Sequence, residues 1–207
     1  MALTFFYAPN TCARASYITL EESGATYEAK RLNFAENEHR KPEYLKINPK
    51  SRVPALVTDQ GILTETPAIL VYIAQMFPKA NLLPLNDPFQ LAQIQSFNSY
   101  LCSTVHVAHA HRMRGYRWTD DQPAMETMKK KVPQNVGDCF DLIERQYFKG
   151  PWVMGADYTI ADPYLFTLSG WLEADGVDPK RFPQVLDHRN RMAERPAVKK
   201  VLASENA

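Results

Sequence analysis

The sequence has few cysteines and almost no net charge. Cysteine occurs three times in 207 residues, at Cys12, Cys102 and Cys139, and no C-x-x-C pair is present. This pattern gives no sign of a zinc knuckle, and it favours a reduced, cytoplasmic protein. Lysine and arginine together number 24 and aspartate and glutamate 23, so the formal net charge is only +1. We therefore expect neither nucleic acid nor an anionic membrane as a partner.

Long apolar segments are missing as well. No stretch approaches the roughly 18 residues that a membrane-spanning helix requires. The opening MALTFFYAPN lacks the basic region and long apolar core of a signal peptide, so none is expected. With 45% hydrophobic and 23% charged residues, the composition is typical of a soluble globular protein.

The first part of the chain alternates between strand-like and helix-like segments. LTFFYA and TYEAKRLNF predict strands, residues 12–23 predict a helix that ends at Gly24, and VPALVTDQGILT predicts a hairpin. KPEYLKINP indicates a short helical turn and TPAILVYIAQMF an apolar helix. The order βαβ followed by ββα predicts a mixed sheet with helices packed on it.

A segment rich in proline and asparagine, PKANLLPLNDP, ends this alternation. After it the strand signals fade, and helical spacing covers residues 89–117, 123–148, 159–173 and about 183–204. We therefore predict an α/β domain at residues 1–78, a linker at 79–87 and an all-helical domain at 88–207.

Cys12 stands where the first strand meets the first helix. Unpaired N–H groups and roughly half a positive charge at a helix start stabilise a thiolate, and Arg14 could add positive potential. The second position of a C-x-x-C motif is Ala15, so a redox cycle at Cys12 would need an external thiol. A small, buried, inert cysteine is the alternative.

Val53-Pro54 stands at the entrance of a predicted strand. Proline there suggests a cis peptide bond, which would turn the Val53 backbone outward to pair with an extended peptide ligand. A rigid strand start without a ligand is the alternative.

The segment LTETPAIL predicts a second helix start, with Thr66 as N-cap and Pro67 at the first helical position. The free N–H groups there suit a carboxylate, and Glu65 could hold an ammonium group. A carboxylate and an ammonium on one carbon describe an α-amino acid end. An ordinary helix cap is the alternative.

Together with YTIADPYLF, the segments PNTCARAS, NPKSRVPAL and LTETPAILVYIA make the chain resemble the glutathione transferase family, the bacterial beta class in particular. The resemblance covers nearly the whole chain. It implies a thioredoxin-like N-terminal domain with a mixed four-stranded sheet, followed by an all-α domain with the second-substrate pocket. It also implies a cytoplasmic homodimer that uses glutathione as co-substrate and needs no metal.

The resemblance assigns residues to the parts of glutathione. Val53 before Pro54 would pair with the cysteinyl unit, and Glu65 and Thr66 would hold the γ-glutamyl end. Candidates for the glycyl carboxylate are Arg52, Lys50 and His39.

The resemblance leaves the group that activates the thiol open. In the beta class a cysteine at the position of Cys12 lies beside the glutathione sulfur and can form a mixed disulfide with it. Other bacterial members use a threonine or an asparagine of this loop, which makes Thr11 and Asn10 the rivals. His106 matches a histidine that beta-class enzymes place near the glutathione thiol, and a solvated or capping histidine is the alternative.

The segment HVAHAHRMRGYRW holds three of the five histidines. At about 100° per residue, His106 and His109 lie ~60° apart and His111 ~140° or more from both, so the three do not form one metal site. The residues expected to line the second-substrate pocket are His109, Arg112, Tyr116 and Trp118, within a basic and aromatic segment. An ordinary charged helix face is the alternative.

In YTIADPYLF, Thr159 and Asp162 have the spacing of a capping box, in which Asp162 returns a hydrogen bond to the cap. We predict a folding element there and no catalytic role.

The function predicted is that of a glutathione transferase. The thiolate would add to an electrophilic carbon, or it would attack a disulfide or a peroxide, with a mixed disulfide at Cys12 on the thiol-transfer route. A carrier or regulatory protein on the same fold, without catalysis, is the alternative. Phe77, Phe89 and Phe97 are candidates for apolar contacts in the dimer, and burial in the core is the alternative.

Overall fold

The computed structural model describes residues 2–206 of the chain. These residues form two compact units. The first, here the sheet unit, comprises the chain up to Ala92 together with the residues from Met192 onward, and the second, here the helical unit, is Gln93–Arg191. The boundaries at residues 78 and 88 stay a prediction.

The sheet unit contains four strands, β1 (Thr4–Tyr7), β2 (Glu28–Arg31), β3 (Ala55–Thr58) and β4 (Gly61–Thr64). Their order is β2-β1-β3-β4; β1 and β2 are parallel, and the other two pairs are antiparallel. The predicted mixed four-stranded sheet is confirmed. The hairpin turns at Gly61, whose φ of 140° lies where glycine is favoured.

The helices are α1 (Ala13–Ser23), α2 (Pro42–Leu45), α3 (Thr66–Met76), α4 (Pro88–Tyr100), α5 (His106–Ala110), α6 (Gln122–Leu142), α7 (Ala161–Ser169), α8 (Pro183–Ala193) and α9 (Pro196–Asn206). None of the helices within residues 2–206 is long and apolar enough to cross a membrane.

Two of the helices predicted for the second half are divided in the structure. The segment expected as one helix at residues 89–117 is α4, a π-helical stretch at Leu101–Val105, α5, and a separate 3₁₀ turn at Gly115–Arg117. The segment expected at 183–204 is α8 and α9, because Pro196 disfavours helical geometry in the residue before it.

Helix α1 is the central helix of the sheet unit. It packs against β1, α3 and α9, and every residue from Ala13 to Leu20 is buried. Gly24 ends the helix with a left-handed φ of 70°, as predicted. Because α1 is covered along its length, its first turn has a fixed position relative to β1 and β3.

At the start of α7 the predicted return bond from Asp162 is present, but the N-cap is Ile160 and not Thr159, so the prediction of the cap was wrong by one residue. The Asp162 carboxylate accepts the Thr159 N–H at 2.7 Å, and the Thr159 hydroxyl oxygen accepts the Ala161 N–H at 3.3 Å. Asp162 also accepts the Val153 N–H at 2.9 Å and lies 3.0 Å from His188 Nε2. Asp162 and His188 are both fully buried, so the box is part of the core of the helical unit.

Among the three phenylalanines considered for a dimer contact, Phe97 is fully buried. For Phe97 the alternative of core burial therefore holds. Phe89 is 74% exposed and Phe77 half-buried, so the dimer prediction rests on these two.

Candidate active site

The loop between β1 and α1 holds the candidates for thiol activation. Asn10 has a left-handed φ of 56°, a conformation that asparagine tolerates better than most residues. The Thr11 hydroxyl donates to the Ala8 carbonyl at 2.7 Å, and its oxygen accepts the Ala13 N–H at 3.3 Å. Thr11 would therefore have to give up an internal bond before donating to an external sulfur.

Cys12 is half-buried and immediately precedes α1. Its Sγ donates to the backbone carbonyl of Val53 at 3.6 Å. The Val53–Pro54 peptide is cis, as predicted. Two features that are 41 residues apart in the chain, the thiol and the Val-Pro backbone, therefore meet at one place.

Arg14 has polar partners of its own in the structure. Its Nε lies 2.9 Å from Glu205 Oε2 and its Nη2 pairs with the same oxygen, while Nη2 also donates to Asn10 Oδ1 at 2.6 Å. The two charged side chains are only 10% and 3% exposed. Arg14 therefore links the loop to the buried Glu205 carboxylate through Asn10, and its contribution of positive potential at Cys12 stays a prediction.

The start of α3 holds the residues assigned to the γ-glutamyl end. Helix α3 begins at Thr66, with Glu65 in the N-cap position, so the prediction of Thr66 as N-cap was wrong by one residue. Glu65 has φ 73° and is exposed, whereas Thr66 is buried. A non-glycine residue in this region of φ is uncommon and is often associated with a functional site.

The ammonium group of Lys50 pairs with Glu65 Oε1 and lies 2.7 Å from Thr64 Oγ1. In this structure Glu65 therefore already faces an ammonium group. Both side chains are about half exposed, so the pair is solvated and exchangeable.

The two other candidates for the glycyl carboxylate differ in environment. The Arg52 side chain is exposed, while its carbonyl accepts the Tyr44 hydroxyl at 2.6 Å and the Asn48 amide at 2.7 Å. His39 packs on Phe34 with ring centroids 4.1 Å apart. Burial lowers the pKa of His39, and the neighbouring Arg40 lowers it further.

In the helical unit, the residues assigned to the second substrate lie in two groups. His109 and Arg112 both contact Asp175: His109 Nδ1 is 2.7 Å from Oδ2, and Arg112 Nε is 3.1 Å from Oδ1. The other group is exposed; Trp118 is 46% exposed and packs on His111 at 4.3 Å, and Tyr116 is 53% exposed.

His106 lies one turn before His109 on α5, and both rings contact Trp171, with centroid distances of 5.2 Å for His106 and 4.2 Å for His109. Arg114 Nη1 is 3.5 Å from His106 Nε2. Within residues 2–206, no group of three or more potential metal ligands is found.

Comparison with known proteins agrees with this architecture. The family model for the N-terminal domain of glutathione S-transferase matches residues 1–75, and a C-terminal domain model of the same family matches residues 108–205. Glutathione S-transferase GstA of Escherichia coli O157:H7 is 31% identical over 206 residues, which cover 98% of each chain. The chain belongs to the glutathione S-transferase family.

Solved structures confirm the glutathione S-transferase fold. A glutathione transferase homolog from Sulfitobacter, crystallised with bound glutathione, is 44% identical with a TM-score of 0.95. A bacterial beta-class glutathione S-transferase from Sphingomonas chungbukensis is 30% identical with a TM-score of 0.85. Each match covers 98% of both chains. The predicted resemblance to bacterial members of this family is thus confirmed.

Two carboxylates that organise this glutathione S-transferase were missed by the sequence analysis. Glu205 meets Arg14 across 191 residues, and Asp175 meets His109 across 66. Neither stands in a motif, and an isolated acidic residue predicts an exposed side chain. Only the packing of α9 on α1, and of the turn after α7 on α5, brings each to its partner.

Proposed function

We propose that this glutathione S-transferase binds glutathione in extended form along the Val53 backbone and activates its thiol at the start of α1. The observation that supports this most directly is the 3.6 Å contact between the Cys12 sulfur and the Val53 carbonyl. An extended cysteinyl unit paired with Val53 would place its own sulfur beside that of Cys12. Among residues 2–206 the Val53 N–H has no backbone acceptor, so it is available for such a ligand.

The α-amino acid end of glutathione would lie at the start of α3. Lys50 shows that Glu65 and Thr64 can surround an ammonium group, and the α-ammonium of the ligand would compete for Glu65. The α-carboxylate would accept from N–H groups of the first turn, with Thr66 beside it. Arg52, Lys50 and His39 are the candidates for the glycyl carboxylate.

Two reactions of the thiol are proposed. In conjugation, the thiolate bonds to an electrophilic carbon. In thiol transfer, the Cys12 thiolate attacks the glutathione sulfur of a mixed disulfide and releases the other thiol; a second glutathione then attacks Cys12–S–S–glutathione, which gives glutathione disulfide and restores Cys12. The second route is favoured by the position of Cys12, with Thr11 and Asn10 as its rivals.

The setting we propose is a cytoplasmic homodimer that detoxifies electrophiles or reduces disulfides. His109, Arg112, Tyr116 and Trp118 would contact the second substrate.

The test compares Cys12→Ala, Thr11→Ala and Cys102→Ala with the wild type. Calorimetry should show glutathione binding to all four proteins. Cys12→Ala should lose disulfide reduction by about two orders of magnitude, together with the mixed disulfide that mass spectrometry detects in the wild type. Cys102→Ala, a half-exposed cysteine of the helical unit, is the control.

Three results would change the proposal. Absence of any heat with millimolar glutathione would overturn it. Loss of activity in Thr11→Ala alone would transfer the activating role to Thr11. Binding without either reaction would favour a carrier.

A further inference from the structure

The peptide group that joins Arg52 to Val53 is held by two buried side chains. The Arg52 carbonyl accepts the Tyr44 hydroxyl at 2.6 Å and the Asn48 side-chain amide at 2.7 Å. A carbonyl oxygen has two lone pairs, so these two donors satisfy it fully. Tyr44 is 3% exposed and Asn48 is 1% exposed, so both donors lie in the interior of the sheet unit. The Arg52 carbonyl is therefore turned toward that interior.

A fixed carbonyl also fixes the N–H of the same peptide group. The peptide bond between Arg52 and Val53 is trans, and the C=O and N–H of a planar trans peptide point in opposite directions. The Val53 N–H therefore points away from Tyr44 and Asn48. No acceptor for this N–H is found in the part of the chain that the structure describes. A donor with a fixed direction and no protein acceptor suits the backbone carbonyl of an extended peptide.

Both side chains that hold the carbonyl are themselves anchored. The Tyr44 ring packs on Phe6 of β1, with ring centroids 5.6 Å apart. The Oδ1 atom of Asn48 accepts the Lys50 N–H at 3.2 Å, and the Asn48 backbone carbonyl accepts the Ser51 N–H at 2.9 Å. Asn48 thus holds the turn at three points, and the chain leaves this turn toward Val53 in one defined direction.

The two donors keep their hydrogen atoms at neutral pH. Burial raises the pKa of Tyr44 to about 12, so its hydroxyl stays protonated. The Asn48 amide does not titrate. The orientation of the peptide group is therefore the same throughout the neutral range of pH.

We propose that Tyr44 and Asn48 are positioning residues for glutathione, because they aim the Val53 N–H at the carbonyl of its cysteinyl unit. The inference rests on the proposed binding of glutathione along Val53 and adds two residues that act through the backbone. A hydrogen bond at that carbonyl fixes the register of the ligand along Val53. The sulfur belongs to the same cysteinyl unit, so this register also sets the position of the sulfur relative to Cys12.

The experiment measures how Tyr44→Phe changes the Kd of two ligands. Phenylalanine keeps the ring that packs on Phe6 and removes only the hydroxyl. By calorimetry, the Kd for glutathione should rise about three- to ten-fold, the factor that one net hydrogen bond gives. The second ligand is the glutathione analogue in which a methylene group replaces the cysteinyl carbonyl. Its Kd should be the same for Tyr44→Phe and the wild type, because it offers Val53 no acceptor.

Tyr27→Phe is the matched control. Tyr27 is half-buried in the same sheet unit, and its hydroxyl pairs with Glu21 and not with the turn. This variant loses a hydroxyl hydrogen bond as Tyr44→Phe does, yet it should keep the wild-type Kd for both ligands.

Asn48→Asp is a second variant at the same carbonyl. It keeps the size of the side chain and the oxygen that accepts the Lys50 N–H, and it replaces the donor with an oxygen that faces the Arg52 carbonyl. The Kd for glutathione should therefore rise more than in Tyr44→Phe. Tyr44→Phe tests the inference even where Asn48→Asp does not fold, because its ring packing is retained.

Hydrogen exchange at the Val53 amide, followed by NMR, reports on the aimed donor itself. In the wild type, saturating glutathione should slow this exchange about ten-fold or more, as a hydrogen bond to the ligand requires. In Tyr44→Phe the same concentration of bound ligand should slow it less.

Equal rises in Kd for both ligands would indicate a general loss of structure at the site and would overturn the inference. An unchanged Kd for glutathione in Tyr44→Phe would overturn it as well. A wild type that binds glutathione without slowing exchange at Val53 would overturn it and leave glutathione binding intact. A wild type that gives no heat with millimolar glutathione would overturn the proposed function together with the inference.

Discussion

Side chains hold the backbone in place at the start of helix α7, where Thr159 accepts the Ala161 N–H and Asp162 binds the segment that precedes the helix, whereas no such side-chain bonds are found at the start of helix α3 within the described residues. At α7 the Asp162 carboxylate accepts from two backbone N–H groups and contacts His188, and every residue of the helix is buried. At α3 no side chain caps the first turn, and Glu65 stands exposed with a φ of 73°.

The comparison shows that the backbone N–H groups at a helix start can serve either folding or ligand binding. The first N–H groups of a helix have no partner within the helix. When side chains bind them in the core, the helix start contributes to the stability of the fold. When they stay uncapped at the surface, they are available to an anion. The other contacts of the fold then offset the free energy lost by leaving these N–H groups without a protein partner. The α7 start therefore serves folding, and we propose that the α3 start serves glutathione.

The largest effect is expected at α7. Asp162→Ala removes the acceptor of two buried N–H groups and the partner of a buried histidine, so the free energy of unfolding should fall by about 3–5 kcal/mol. Urea denaturation measures the loss. Asp157→Ala, an exposed aspartate just before α7, should change stability by less than about 0.5 kcal/mol. Similar losses in the Asp162→Ala and Asp157→Ala variants would show that the contacts of Asp162 do not specifically stabilise the fold.

At α3 we expect a change in glutathione affinity with little change in stability. Glu65→Gln keeps the shape of the side chain and removes the charge that would hold the α-ammonium of glutathione. The Kd for glutathione should rise about ten-fold, since hydrogen bonds to charged groups contribute about 1.5–3 kcal/mol. Calorimetry gives the Kd, and stability should stay within about 0.5 kcal/mol because Glu65 is exposed. Glu36→Gln is the charge-matched exposed control, and an equal rise in its Kd would make the effect one of net charge.

Features that depend on residues close together in the sequence could be predicted. The capping box needs only residues three apart, so Thr159 and Asp162 could be identified from the sequence. The alternation of segments gave the mixed sheet, and the proline of Val53–Pro54 gave the cis peptide. The start of α3 was placed one residue late because Pro67 suits the second helical position as well as the first.

Contacts across long sequence distances were not predictable. Arg14, two residues after Cys12, was considered only as a source of positive potential, and nothing near it in the sequence pointed to its ion pair with Glu205. His109 stood in a segment that also fits an ordinary charged face, and its carboxylate partner follows 66 residues later without a motif. Both depend on how whole helices pack, and hydrophobic spacing fixes which face is buried without fixing which polar side chains meet.

The smallest effect concerns His39 and the glycyl end of glutathione. Burial and Arg40 lower the pKa of His39 below its ordinary value of 6.5, so the folded protein favours the neutral ring. As the pH falls through that value, the unfolded chain takes up a proton that the folded chain does not, and stability decreases until the lowered pKa is reached. His39→Gln should remove this part of the acid-induced loss, as followed by urea denaturation between pH 7 and 5.

If His39 holds the glycyl carboxylate, bound glutathione stabilises its imidazolium, so saturating glutathione should reduce the loss in the wild type and leave His39→Gln unchanged. If glutathione has the same effect on both proteins, Arg52 or Lys50 holds the carboxylate in its place.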